Sequence, residues 1–295
     1  MRVSVTQRCD LACDYCHKEG QVPSSTEMTP SEIERLVRVA TTLGVRKVKI
    51  TGGEPLMRED ITEIIARVSS LLSEVSLTTN GFHLDDLAHG LKAAGLARVN
   101  VSLHTLNSTV YRSLCGVDLS PSVVRGIESA VKTGLNPVKV NMVVLKGYNE
   151  YEIDDMIDFC ARAGAILQLI EYEASREGAQ KDQFKRRFYS LKGVEQDLER
   201  RATGIAHNEL HRRKQYSIVA NGREARVELV RPMHNTEFCA NCTRIRLSSD
   251  GRIKPCLLDR NGELDVLGPL REGAPDSSLK EMFLRVVAAR RPYWS

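Results

Sequence analysis

Arg8-Cys9-Asp10-Leu11-Ala12-Cys13-Asp14-Tyr15-Cys16-His17 follows directly on a β-branched run at residues 3–6 and carries a C-x3-C-x2-C spacing. Four thiolates fill a tetrahedral zinc or an ordinary iron-sulfur cluster, so three leave either a distant fourth ligand or a metal position open for a ligand that does chemistry. The next cysteine in the chain is Cys115, and a zinc site would have to borrow a residue such as His17. Far downstream, Cys239, Cys242 and Cys256 form a second triplet in a C-x2-C-x13-C pattern. A matched pair of three-ligand sites points to two clusters, each with a free corner.

Working outward, short β-branched runs at residues 3–6, 47–51, 75–79, 99–103, 138–145 and 166–171 read as strands. Amphipathic patterns fill the gaps. The first helix opens at Thr29-Pro30-Ser31-Glu32, a capping box with proline at the first helical position, and Ile33, Leu36, Val37 and Ala40 fall on one face. Others are expected at 61–72, 84–94, 121–133 and 152–163. Six strand–helix units in order imply an α/β fold, a partial parallel (β/α)6 barrel of TIM type, because each parallel neighbour needs a right-handed crossover. The working face is then the rim formed by the loops after the strands.

A second, cluster-binding region is expected to start after Ala174, giving a division at 1–174 and 175–295. Stretches 176–192 and 211–214 are rich in basic residues, and Asp250-Gly251 is a two-residue hairpin turn that would fold Cys256 back beside the strand starting at Cys242. An amphipathic helix at 279–289 ends the chain.

Composition bounds the function. The 295 residues are 42% hydrophobic and 27% charged, enough for a large core. No apolar stretch reaches the length of a signal peptide or a spanning helix, and six of eight cysteines lie in ligand-like clusters, which suits a reducing cytoplasm and no membrane partner. A net charge of +4 allows an anionic partner without requiring nucleic acid.

Each strand end carries residues that a plain core would not need: Gly52-Gly53-Glu54-Pro55, Thr78-Thr79-Asn80-Gly81, Ser102-Leu103-His104 and Lys146-Gly147. Singly, such motifs are ordinary turns; together on one rim they mark a ligand site. Cys160, on a face with Ile153, Met156 and Ile157, reads as a buried small hydrophobe, and Cys115 likewise. His207, His211 and His234 read as surface residues rather than ligands, and the stretch 181–192 as a solvated face.

The C-x3-C-x2-C loop after a first strand, followed by Gly-Gly-Glu-Pro after the next, resembles the radical S-adenosylmethionine superfamily. That resemblance implies a 4Fe-4S cluster on Cys9, Cys13 and Cys16 whose fourth iron binds S-adenosylmethionine, cleaved by one electron to a 5'-deoxyadenosyl radical. The segment from Phe238 to Leu257 resembles the C-terminal cluster motif of the GTP 3',8-cyclase family, and the likeness covers nearly the whole chain. It implies a second 4Fe-4S cluster on Cys239, Cys242 and Cys256 that leaves its free iron to the guanine of GTP. Position by position, Tyr15, Gly53 and Ser102 would touch S-adenosylmethionine, with Glu54 taking its amino group. Arg2, Lys49, Thr78, Lys146 and Arg244-Ile245-Arg246 would hold GTP. Arg244 and Arg246, two apart on a strand, share a face and suit a triphosphate.

The expected reaction abstracts the ribose C3' hydrogen and joins C3' to guanine C8, giving (8S)-3',8-cyclo-7,8-dihydroguanosine 5'-triphosphate, the first step of molybdenum cofactor biosynthesis. It implies an electron donor and a downstream cyclic pyranopterin monophosphate synthase. Relatives commonly carry a leader and a Gly-Gly tail, whereas this sequence starts at Met1-Arg2 and stops at Tyr293-Trp294-Ser295, which suggests a shortened start or a lineage difference. The run from Cys16 to Gly20 and the Tyr-Trp ending are similar to the archaeal branch. His104 stands where many relatives have Asp and Glu173 where bacterial ones have Met, and neither is given a role. The rival readings are a radical enzyme with an auxiliary cluster acting on a peptide, and a non-catalytic zinc and nucleic-acid-binding protein.

Overall fold

The computed structural model describes residues 1–208, 213–233 and 235–294. Six parallel strands lie side by side in chain order: β1 (Arg2–Ser4), β2 (Lys47–Thr51), β3 (Glu74–Thr79), β4 (Arg98–Ser102), β5 (Val138–Val144) and β6 (Ile166–Glu171). The crossovers are α1 (Pro30–Thr42), α2 (Ile61–Ser69), α3 (Leu84–Ala93), the pair α4 (Ser108–Cys115) and α5 (Ser120–Lys132), and α6 (Ile153–Ala163).

The helices form for local reasons. At α1, Glu32 N donates to Thr29 Oγ1 (3.3 Å) and Thr29 N to Glu32 Oε2 (2.8 Å), which satisfies two orphan donors at the helix start. Ile33, Leu36, Val37 and Ala40 are buried against the sheet. Helix α4 was not expected from the sequence; Asn107 caps it by accepting from Thr109 N and Val110 N, and Gly116 ends it at φ +88°. Cys160 is buried in α6 with Met156 and Ile157, a core residue as read.

After β6 come α7 (Asp182–Arg187), α8 (Lys192–Arg201), the strands β7 (Ala202–Asn208), β8 (Arg213–Ala220) and β9 (Arg223–Val230), then α9 (Thr236–Ala240), β10 (Arg246–Leu247), β11 (Arg252–Lys254), β12 (Leu264–Asp265), α10 (Leu267–Arg271) and α11 (Asp276–Ala288). These strands extend the same sheet at both edges. β9 pairs in parallel with β6, and β10 in parallel with β1, giving the order β12-β11-β10-β1-β2-β3-β4-β5-β6-β9-β8-β7. The sheet is therefore an open partial barrel, and the region after residue 174 is built into it on both sides.

The stretch 181–192 exposes Lys181, Lys185, Arg186 and Lys192, while Arg187 turns inward to Asp14 (2.7 Å). His207 is exposed on β7; His211 and His234 lie outside the described residues. Among the described residues no helix is long and apolar enough to cross a membrane.

Candidate active site

Why the first triplet sits where it does follows from the glycines after β2. Gly53 N donates to Thr6 O (2.7 Å) and Glu54 N to Arg8 O (2.7 Å), so the loop after β2 lies directly against the loop that carries Cys9. A Cβ at Gly53 would stand 2.6 Å from Gln7 O and run into Arg8 O, which only glycine avoids. Glu54 then ties this pair of loops to the end of β3. Its carboxylate accepts from Leu56 N (2.9 Å), Thr79 Oγ1 (2.7 Å) and Asn80 N (2.6 Å) and is 1% exposed. Burial pushes it up to about 7, against those three hydrogen bonds. Asn80 Nδ2 in turn donates to Asp10 Oδ1 (2.5 Å), inside the triplet loop.

A cavity of about 460 Å³ runs from this triplet down the inside of the partial barrel. Arg2, Cys9, Cys13, Tyr15, Cys16, Lys49, Gly53, Thr78, Ser102, Arg244 and Arg246 line it. Of the residues expected to meet S-adenosylmethionine or GTP, three do not. Glu54 is buried behind the lining and engaged by protein donors. Ile245 is buried, and its carbonyl accepts from Arg2 N (2.8 Å). Lys146 is exposed beyond the end of β5, with its backbone N bound to Arg187 O (2.8 Å). The lysine of β5 that does line the cavity is Lys139.

Lys139 belongs to a set of which the sequence reading found only Thr78 and Ser102. Ser76 and Thr78, Arg98, Asn100 and Ser102, and Lys139 and Asn141 occur two apart on successive strands, so they share the inner face, and all line the cavity with Gln168. A closed barrel of this kind is filled by apolar layers; this lumen is polar and wired. Lys49 Nζ donates to Asn100 Oδ1 (2.5 Å), and Asn100 Nδ2 to Asn141 Oδ1 (3.1 Å). Lys139 pairs with Glu228 (2.5 Å), whose other oxygen accepts from Gln168 Nε2 (2.8 Å). The available signal was the period-2 polar alternation within these runs.

Electrostatics sharpen the picture. Strand register sets Arg246 opposite Arg2 and Arg2 opposite Lys49, three cations in a row across β10, β1 and β2. Like charges directly opposite destabilise a sheet. Arg2 and Arg244 are pushed down to about 10, by burial first and by neighbouring arginines next, and burial with Arg2 and other cations lowers Lys49. Glu19 offsets Arg2 and Arg246 in part, and the remaining positive charge of the row suits an anion in the cavity. Near the rim, His104 is buried and pushed down to about 4; its Nδ1 accepts from Val143 N (3.0 Å), which leaves the neutral Nε2–H tautomer, edge-on to Tyr15.

The second triplet lines a smaller cavity of about 50 Å³ with Trp294. Glu173, Phe238, Arg244, Arg246 and Leu257 line both cavities, so the two cysteine sets line adjoining cavities with a shared wall. The donor chemistry fits two iron-sulfur clusters: each set offers three free, soft thiols at a cavity wall. Among the described residues no three His, Cys, Asp or Glu side chains converge as a single-ion site would require. Cys115, read from the sequence as a core residue, is buried but stands beside the first set: a hydrogen bond from it favours the Cys13 thiolate, and its Sγ lies 3.9 Å from Tyr15 Oη.

Residues 3–160 match the model of the radical SAM superfamily, and residues 165–295 that of Molybdenum Cofactor Synthesis C. A protein of Thermococcus kodakarensis named probable GTP 3',8-cyclase is 52% identical over all of this chain and 96% of its own length. One of Pyrococcus abyssi with the same name is 50% identical over the same shares. Among solved structures, Streptococcus suis SuiB bound to its precursor peptide SuiA aligns over 87% of this chain and 59% of that one, with a TM-score of 0.65 at 19% identity, a likeness of fold alone. The chain belongs to the radical SAM superfamily and, within it, to the family of these archaeal proteins.

Proposed function

We propose that this protein is a GTP 3',8-cyclase, converting GTP to (8S)-3',8-cyclo-7,8-dihydroguanosine 5'-triphosphate at the head of molybdenum cofactor biosynthesis. The name carried by its full-length relatives supports this, and so does one observation above all: the cation row Arg246–Arg2–Lys49 at the wall of the cavity that the first cysteine triplet lines, which shares Arg244 and Arg246 with the cavity of the second.

Cys9, Cys13 and Cys16 would hold the first 4Fe-4S cluster and Cys239, Cys242 and Cys256 the second, with Tyr15, Gly53 and Ser102 against S-adenosylmethionine. When bound, these groups supply one-electron cleavage to a 5'-deoxyadenosyl radical and an open iron for guanine. The chain's own residues bind and orient. Arg2, Arg244 and Arg246 offer guanidinium forks to phosphate oxygens, Lys49 adds a point charge, and Thr78 a hydroxyl. Lys139 replaces Lys146 as the second lysine, since it lines the lumen and Lys146 does not. Glu54 holds the loops after β2 and β3 together rather than meeting the cofactor. The polar lumen keeps the nucleotide in one orientation, as a barrier-lowering site must. An electron donor, a downstream cyclic pyranopterin monophosphate synthase and a cytoplasmic location complete the reading.

The test is anaerobic incubation of the reconstituted protein with S-adenosylmethionine, reductant and GTP. The expected outcome is 5'-deoxyadenosine and a cyclised nucleotide in step, both lost in Arg246→Ala with iron content retained. Deoxyadenosine formed equally well without GTP, and no cyclised product, would count against the substrate.

A further inference from the structure

Residues 17–21 lead directly from the first cysteine triplet to the hairpin that precedes Cys256. Lys18 and Glu19 have φ of +48° and +51°, and Gly20 follows at +64°. Two consecutive non-glycine residues in the left-handed region are uncommon, and such backbone persists only where its surroundings hold it. The surroundings here are the C-terminal strands. Gly20 O accepts from Lys254 Nζ, and a Cβ on Gly20 would run into Leu257 O. Gln21 Oε1 accepts from Ser249 N (2.9 Å) and Ser249 Oγ (3.0 Å), while Gln21 Nε2 donates to Ser4 Oγ (2.9 Å). The segment is a strap across the β1–β10 seam.

At the centre of the strap, the Glu19 carboxylate lies between two guanidiniums. Oε1 meets Arg2 Nη1 at 3.4 Å and Oε2 pairs with Arg246 Nη1. Its side chain is only 18% exposed. Burial opposes its charge, but Arg246 and Arg2 hold it below the usual carboxylate range. Each contact uses one Nη of its arginine, so the remaining donors of both forks stay available. Glu19, Glu171 and Glu173 are the carboxylates of this wall, and the arginines and lysines that line it, among them Arg2, Arg213, Arg244, Arg246 and Lys49, outnumber them, so it stays cationic.

We infer that Glu19 is a positioning residue for the nucleotide: it holds Arg2 and Arg246 at a fixed spacing despite their repulsion, and it links that pair to the loop bearing Cys16. The inference rests on the reading that these arginines receive a triphosphate. Two effects of removing the carboxylate have opposite signs. If Glu19 merely occupies the phosphate site, Glu19→Gln frees it and GTP binds more tightly. If Glu19 positions the forks, the arginines repel one another and splay, and GTP binds more weakly.

The experiment is calorimetric titration of the protein, reconstituted with both clusters under anaerobic conditions, with GTP and separately with S-adenosylmethionine. Glu19→Gln should raise the Kd for GTP about tenfold, Glu19→Asp should recover part of that loss, and affinity for S-adenosylmethionine and iron content should be unchanged. Equal or tighter GTP binding by Glu19→Gln overturns the positioning role and leaves the cyclase reading standing. Failure of the unaltered protein to bind GTP overturns both. Should the variants lose iron, hydrogen exchange on the unaltered protein decides: GTP should slow exchange of the amides at residues 17–21, and no slowing overturns the proposal.

Discussion

Glu54 shows how a single rim residue can also hold the rim together. Its place after two glycines marks it as part of the rim, and its buried carboxylate accepts from three protein donors. Its carboxyl is raised from 4.5 to about 7 by that burial, so between those values the folded chain holds a proton that the unfolded chain has lost. Stability contributed by the protonated form is present below pH 4.5 and is lost as pH rises through 7, by at most about 3 kcal/mol. Glu54→Gln should flatten this trend while costing about 1–3 kcal/mol, because the amide turns an N–H₂ toward a donor. Urea midpoints from pH 4.5 to 8 check it: the gap between the original protein and the variant should narrow as pH rises, and a widening gap would mean the carboxylate is held in its charged form. Lys139 carries the complementary lesson. It lines the cavity although no loop motif marks it, and Val138-Lys139-Val140-Asn141 already held the alternation that places Lys139 on the inner face.

At the scale of elements, the six parallel strands and most of their helices were legible, because β-branched runs and the Thr29 capping box are local signals. The short α4 was not: eight residues capped by Asn107 leave little periodicity to read. The Asp250-Gly251 turn was legible, and its consequence can be tested. Gly251 has φ +75°, and a Cβ there would collide with Leu267 Cβ at the start of α10. The hairpin β10–β11 sets both the Arg246 side chain and the approach of Cys256. Gly251→Ala should therefore shift Cys256 from the second triplet and lose about half the iron of the reconstituted chain. The signal of the first cluster with S-adenosylmethionine should remain. Loss of both clusters together would mean the hairpin supports the whole barrel rather than one site.

For the whole molecule, the sequence suggested a boundary near residue 174, since the repeating strand–helix pattern stops there. What no local pattern encodes is that the later strands return to opposite edges of one sheet, β9 beside β6 and β10 beside β1. Parallel pairing at each edge depends on segments far apart in the chain, and composition is blind to that. The consequence is energetic as well as topological. A fragment of residues 1–174 would expose the full length of β6 and the three-residue β1, two unpaired edges that invite association with other chains. It would also uncover the buried faces that Val227, Leu229 and Leu247 now cover. Adding residues 175–233 restores only the β6 edge; the other still lacks β10 and with it the strap contacts of residues 17–21. Light scattering should show both fragments associating beyond whatever the full chain shows, the longer one less. A monomeric, cooperatively unfolding 1–174 fragment would instead make the first region an independent domain, and the two-edged sheet a mere docking of separate parts.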